Sequence, residues 1–173
     1  MDEGVRRIAG THLIDHDGVV QQGDFLLHPN GSYSKSKGDE EVIETIDGSG
    51  RLITRSLQNW HTHLAMILNR GMGEGLPLME WLNTAIFPVE KNLTAELVEI
   101  GTRAAAAEMI ATGTTFACDM YFYTETIGET LAETGVRAAL CGPITDGLTP
   151  NFKPGSGDAL RHMESLIRGP SPR

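Results

Sequence analysis

A chain of 173 residues is long enough for one ordinary domain, or one domain with an appendage, and its 40% hydrophobic residues can build a packed core, which excludes wholesale disorder. The formal net charge of -9 at pH 7 argues against a general nucleic-acid binder, because phosphates need clustered Lys and Arg; metals and neutral small molecules stay open. No apolar run nears the ~20 residues of a membrane helix, so no membrane partner is expected.

The N-terminal MDEGVRR lacks the apolar stretch of a signal peptide, and a cytoplasmic setting is expected. From there to about residue 55 the chain reads as β-rich, with turn signals at Asp17-Gly18, Asn30-Gly31 and Asp47-Gly48 and strand-like runs RRIAGTHLI, GDFLLH and EVIETI. This predicts a small sheet with tight hairpins, too thin to hide two faces alone. From Ser56 the texture changes. SLQNWHTHL reads as a strand, and LPLMEWLNTAIF as a helix with Pro77 suited to its first turn. Thr94 is placed to cap the next helix, on which Leu97, Ile100, Ala104 and Ala107 recur at helical spacing before Gly113 at the C-cap. TTFACDMYF is a buried strand, TETIGETLAET a short helix ending at Gly135, VRAALCGPI a third strand, and GDALRHMESLIR a final helix with Asp158 near its N-terminus. The tail GPSPR reads as a loop. Strand alternating with helix three times predicts an α/β unit with parallel strands and right-handed crossovers. Cys118 and Cys141, in FACDM and AALCG, read as two buried free thiols in a reducing compartment.

The sharpest chemical signal is His61-Thr62-His63, at the end of the first of these parallel strands. Side chains on a strand alternate faces, so histidines at i and i+2 point the same way. Two neutral imidazoles on one face can hold a transition metal and leave its charge free to acidify water. The C-terminal end of a parallel strand is where α/β folds put their sites. An isolated H-x-H equally describes two surface histidines near a strand end, so context has to decide.

The run from Ser56 to Tyr123 supplies that context. N-x-H-T-H after a strand, L-P-L-M-E-W-L, P-V-E, a helix ending E-M-I-x-x-G-T-T, and then D-M-Y-F together closely resemble the amidohydrolase superfamily. The nearest members are the methylthioadenosine/S-adenosylhomocysteine deaminases, the archaeal 5'-deoxyadenosine deaminases and the triazine hydrolases. EVIETIDGSGRLI resembles the strand that leads these proteins from a β-sandwich into a barrel. The resemblance covers most of the chain, weakly before residue 40 and after residue 145.

The resemblance implies a (β/α)8 barrel of the metal-dependent hydrolases plus a small β-sandwich built from both chain ends. Residues 1–55 would be the N-terminal part of the sandwich. Residues 56–173 would be the first three strand–helix units only, because a whole barrel takes about 250 residues and roughly 118 follow Arg55. His61 and His63 would be two ligands of one divalent metal ion, with zinc expected. The other implied ligands, two later histidines and an aspartate from strands five, six and eight, and a proton-shuttling glutamate beyond strand five, are not found here. No catalytic residue is therefore assigned, and the chain is expected to be an incomplete, inactive fragment. Glu90, in PVE, matches the position that holds ribose hydroxyls, a task that suits a carboxylate accepting from two adjacent hydroxyls. Trp81 is a candidate for the pocket wall, with a core or lid role as its rival. Asp119 would be either a carboxylate behind the metal ligands or a cap on the loop after its own strand, the structural role being preferred. His12, His16, His28 and His162 are expected at the surface.

The chemistry so implied is hydrolytic deamination at C6 of an adenosine-type nucleoside, with a small-molecule substrate as the partner. Chlorohydrolase and guanine or cytosine deaminase activities are rivals that strand-one residues do not separate. A catalytically dead remnant, with a binding role or none, is the rival of a different class. Unpaired strand edges predict self-association, so a homo-oligomer is a further expectation. The sequence departs from the family in three places. Ile53-Thr54-Arg55-Ser56 replaces a proline followed by glycine or serine. Trp60 replaces a small residue and is expected to press on the helices from the face opposite His61, straining the strand. ALCGPITDG carries no arginine after the third strand, which weakens the case for a methylthioadenosine-type substrate.

Overall fold

The computed structural model describes residues 4–145, 149–153 and 157–168, and the chain divides into two compact units, Met1–Arg55 and Ser56–Arg173. The tail GPSPR lies outside the described residues.

In the first unit β1 (Arg6–Ile14), β2 (Val20–Leu27), β3 (Tyr33–Lys35), β4 (Glu44–Asp47) and β5 (Leu52–Ile53) form one sheet. The turns at Asp17-Gly18 and Asn30-Gly31 close antiparallel hairpins between β1 and β2 and between β2 and β3. Asp47-Gly48 does something else. It joins β4 to β5, and both lie parallel to β1, one after the other along its length. Gly48 allows this because a Cβ there would sit 2.6 Å from the Cβ of Thr11 and 2.8 Å from the carbonyl of Ala9. Leu13, Phe25 and Leu26 are the buried apolar residues of this sheet.

In the second unit β6 (Leu57–Thr62), β7 (Thr114–Met120) and β8 (Arg137–Cys141) form a parallel sheet in the order β6-β7-β8. Parallel neighbours need a crossover connection, usually a helix, between them. Here α3 (Ala95–Ala111) joins β6 to β7, α4 (Thr124–Thr134) joins β7 to β8, and α5 (Asp158–Arg168) follows. Thr94 caps α3 by accepting from the Leu97 amide at 3.2 Å. Gly135 ends α4 in the left-handed conformation, φ 77°.

The expected helix over LPLMEWLNTAIF is broken in the middle. It runs as α1 (Leu78–Trp81), one wide π turn (Leu82–Ile86) and α2 (Phe87–Glu90), with Pro88 in the first turn of α2. Pro88 has no N–H to give and its ring would collide with the carbonyl four residues back; a widened turn relieves both.

The apolar stripe expected on α3 also needs correcting. Leu97 and Ile100 are 41% and 50% exposed, and Ala104 and Ala107 are exposed too. The helix instead buries Val98, Gly101, Thr102, Ala105, Ala106 and Met109, one position round. That face packs with Leu64, Ala65, Ala117, Ile127, Leu131 and Val136 in a single core. Gly101 explains the choice. A Cβ there would come within 2.7 Å of the Ala65 carbonyl oxygen, so only glycine lets α3 approach the segment after β6 so closely. The cysteines are corrected as well: Cys141, at the end of β8, is exposed, and Cys118 is half-buried. Among the described residues no helix is long and apolar enough to cross a membrane.

Candidate active site

The site begins with an irregularity in β6. Asn59 lies beside Ala117 and Thr62 beside Asp119, so β6 carries one residue more than β7 over this stretch. Such a bulge breaks the alternation of side chains. Ala117 packs into the helix-facing core, so Phe116, its neighbour in β7, faces the other way. Trp60 stacks on Phe116 with ring centroids 4.8 Å apart. Its indole is 66% exposed and donates from Nε1 to Gln58 Oε1 at 3.2 Å. The expectation that Trp60 presses on the helices therefore fails, because the bulge leaves it on the sheet face turned away from them.

His61 is the penultimate residue of β6, and His63 is the residue before a 3-10 turn over Leu64–Asn69. Their rings lie 5.3 Å apart, nearly perpendicular at 88°. His63 Nδ1 is 2.6 Å from the Met120 carbonyl oxygen. A carbonyl only accepts, so Nδ1 carries the hydrogen and donates it, and the Nε2 lone pair stays available. The backbone acceptor fixes both tautomer and ring direction, an arrangement that would let Nε2 hold a cation. His61 is exposed, and its backbone N–H donates to Asn59 Oδ1 at 3.2 Å.

Asp119, 1% exposed, lies near His63 toward the end of β7. Its Oδ1 accepts from the Leu64 amide at 2.6 Å. It thus caps the turn after β6, not the loop after its own strand. Burial pushes its carboxyl up to about 6, against the opposing pull of the Leu64 N–H and the nearby His63.

One cavity of about 370 Å³ gathers the residues singled out in the sequence. His61, His63, Trp81 and Glu90 all line it, with Phe87 and Tyr121 among the others. Trp81 donates from Nε1 to the Met72 carbonyl at 2.8 Å, which fixes the indole and the glycine-rich loop it touches. Glu90 is half-buried at the end of α2. Burial raises its carboxyl above the ordinary glutamate value, while the Tyr121 hydroxyl and His63 pull the other way. Tyr121 is pushed up in turn by burial and by Glu90 and Asp119. Its hydroxyl, although near enough to Glu90 for this influence, makes no hydrogen bond of standard geometry among the described residues. The sequence reading missed Tyr121. The only hint was its place two residues beyond Asp119 at a strand end.

None of the other histidines lines this cavity. His12 and His16 are exposed as expected. His28 and His162 are half-buried instead: His28 pairs with Ser34 Oγ at 2.9 Å, and His162 stacks on Phe152 at 5.1 Å. Asp15, His16 and Asp17 bring their ligand atoms within 4.8 Å of one another. That grouping is turn chemistry, since Asp15 Oδ1 accepts from the amides of Asp17 and Val19 at 3.0 and 2.9 Å, and Oδ2 accepts from Gln21 at 2.9 Å.

An H-x-H pair at the end of a parallel strand thus lines a largely apolar cavity, the position and kind of pocket in which α/β folds keep small-molecule sites. Residues 52–166 match the model of the amidohydrolase family, and the chain belongs to that family. It is 41% identical over 137 residues to a 5-methylthioadenosine/S-adenosylhomocysteine deaminase of Syntrophobacter fumaroxidans, covering 79% of this chain and 31% of the relative. It is 38% identical over 141 residues to a 5'-deoxyadenosine deaminase of Methanobrevibacter smithii, covering 82% of this chain and 30% of that one. Among solved structures it resembles an adenosine deaminase from Xanthomonas campestris with bound zinc, at a TM-score of 0.72 and 27% identity, covering 95% of this chain and 39% of the other. The chain thus spans about a third of the length of the curated relatives it matches.

Proposed function

We propose that this chain forms the first part of a metal-dependent deaminase acting on adenosine-type nucleosides. In this reading residues 56–173 are three strand–helix units of a (β/α)8 barrel and residues 1–55 part of its β-sandwich. The names of the relatives support the substrate class, and the zinc in the similar adenosine deaminase supports the metal. The observation that carries the reading is the pairing of His61 with a His63 whose Nδ1 is already engaged, in the same cavity as Glu90.

The residues present suit a divalent metal, zinc by preference. His61 and His63 would hold it, His63 through Nε2 and both as neutral ligands. Bound there, the ion would supply the charge that makes water nucleophilic near neutral pH. Water adds at the ring carbon that bears the amino group, and ammonia leaves. Glu90 receives the ribose hydroxyls, two donors on one carboxylate. Its partial burial strengthens those bonds by excluding competing water. Trp81 and Phe87 form an apolar wall that a purine can lie against. The remaining metal ligands and the proton-shuttling glutamate implied by the family resemblance are not among these residues. The chain by itself is therefore expected to bind zinc weakly and to turn over no nucleoside. The cytoplasm is the compartment that suits such a substrate.

The test is a fusion in which these residues replace the matching third of the Syntrophobacter fumaroxidans deaminase. We expect it to hold zinc through dialysis and to release ammonia from adenosine-type nucleosides. His61→Ala or His63→Ala should remove both properties. Retention of zinc and turnover in either variant would sink the ligand assignment.

A further inference from the structure

The turn that follows β6 needs a cap and does not supply its own. Its N-cap position belongs to His63, where Ser, Thr, Asp or Asn would ordinarily accept from the first free amides. His63 makes no side-chain cap bond, because its ring is turned to the Met120 carbonyl. The Leu64 N–H would then be a buried orphan, at a cost of roughly 1–3 kcal/mol. Asp119 fills the gap from the neighbouring strand, 55 residues along the chain, at 2.6 Å. Two consecutive residues of β7 thus hold one histidine from two sides, Met120 by its ring and Asp119 by the peptide that follows it.

We infer that Asp119 is a positioning residue: by capping the turn in place of His63 it leaves the imidazole free and holds it in the single tautomer that presents Nε2. Two further features support a task beyond joining strands. Asp119 Oδ2 is buried with no hydrogen-bond partner among the described residues. A purely structural carboxylate gains nothing from an unpaired oxygen at 1% exposure, whereas a carboxylate oxygen left unsatisfied near the His63 imidazole favours a cation held by that ring. The turn itself is also fixed from the other side, since Ala65 lies against Gly101 of α3 with no room for a Cβ. The peptide at residue 64 is therefore a rigid lever, and what Asp119 does to it reaches the His63 ring.

The inference deepens the proposed metal reading but one arm of its test does not need a metal. Long-range proton–nitrogen correlation spectra of the 173-residue chain at alkaline pH report which ring nitrogen of His63 is protonated. The wild type and Asp119→Asn, which keeps an oxygen to accept from Leu64, should show one nitrogen of each kind, Nδ1 carrying the hydrogen. Asp119→Ala should show averaged nitrogens, the signature of two interconverting tautomers. The second arm measures zinc affinity of the fusion enzyme and its two Asp119 variants by competition with a coloured chelator, where Asp119→Ala should weaken binding by about 10- to 100-fold and Asp119→Asn by less. A single Nδ1–H tautomer in Asp119→Ala would overturn the inference. So would averaging in Asp119→Asn equal to that in the alanine variant, in a chain whose far-ultraviolet spectrum is unchanged. Absence of zinc binding in all three proteins would sink the metal reading alone, and the tautomer would still decide the role of Asp119.

Discussion

Two carboxylates, one in each unit, are held in opposite ways. Glu40, between β3 and β4, collects donors from all sides: the amides of Lys37 and Gly38 at 2.6 and 3.1 Å, Ser36 Oγ at 2.7 Å and an Arg7 guanidinium N–H at 3.2 Å. The bonds from Lys37, Ser36 and Gly38, that from Lys37 first, hold its carboxyl down at about 2. Asp119 has one donor and a buried free oxygen, and stands at about 6. A charge whose donors come from its own loop and from the adjacent β1 is already satisfied; it orders the loop and has little capacity left. A charge kept half-satisfied away from water still has something to bind. Glu90, which lines the cavity with His61 and His63 and whose carboxyl burial raises, belongs with Asp119.

The largest effect that would sharpen this contrast is on recognition. In the fusion enzyme, Glu90→Ala should raise KM for adenosine-type nucleosides far more than for free adenine, by the roughly 1.5–3 kcal/mol of a charged hydrogen bond, which is about 10- to 100-fold. The melting temperature should barely move. Equal effects on nucleoside and base would remove the ribose role, and a large loss of stability would place Glu90 with Glu40. Next comes Gly101→Ala. Helix propensity alone favours alanine by about 1 kcal/mol. The contact with Ala65 opposes it, and we expect a net destabilisation of about 1–3 kcal/mol in denaturant unfolding. A stabilised variant would mean that α3 and the turn after β6 are not locked together. The smallest effect concerns Glu40→Gln. The folded carboxyl lies below its unfolded value of 4.5. The stability it contributes is therefore complete above that value and lost as pH falls from about 4.5 toward 2. The variant should be less stable at neutral pH and should lose less on acidification, with zinc affinity unaltered. An acid profile matching the wild type would show that the four donors do not act through the charge.

Much of the order of elements was legible because it rests on local chemistry. Thr94, Gly135 and the Asp17-Gly18 and Asn30-Gly31 turns each announce themselves in their own few residues. Three things were not legible, and each depends on residues far apart in sequence. The buried face of α3 could not be chosen from a helix with small apolar residues on two sides; Gly101 selects it only once Ala65 is beside it. Asp47-Gly48 looks like a hairpin turn, yet β1 takes both flanking strands in parallel. The bulge between Asn59 and Thr62 is invisible in β6 and becomes defined only against the register of β7. Of the candidate site, His61 and His63 were readable from their spacing, and Glu90 and Trp81 only from the family resemblance. Tyr121 and the Met120 carbonyl were beyond reach, since nothing in their identity reveals a neighbour nearly sixty residues earlier.

The placement of the two tryptophans gives the protein a built-in optical label. Trp60 and Trp81 are the chain's only indoles, and both belong to the Ser56–Arg173 unit. Tryptophan therefore absorbs light within the unit that carries the parallel sheet and its cavity. The two emitters also differ. Trp60 is a water-exposed ring stacked on Phe116, and should emit far to the red. Trp81 is partly shielded, anchored to Met72 and on the same cavity wall as His61 and His63, close enough for a paramagnetic ion seated there to darken it. With Trp60→Phe in hand, quenching of the remaining indole by cobalt or copper would follow occupancy of the cavity in real time, with no dye attached.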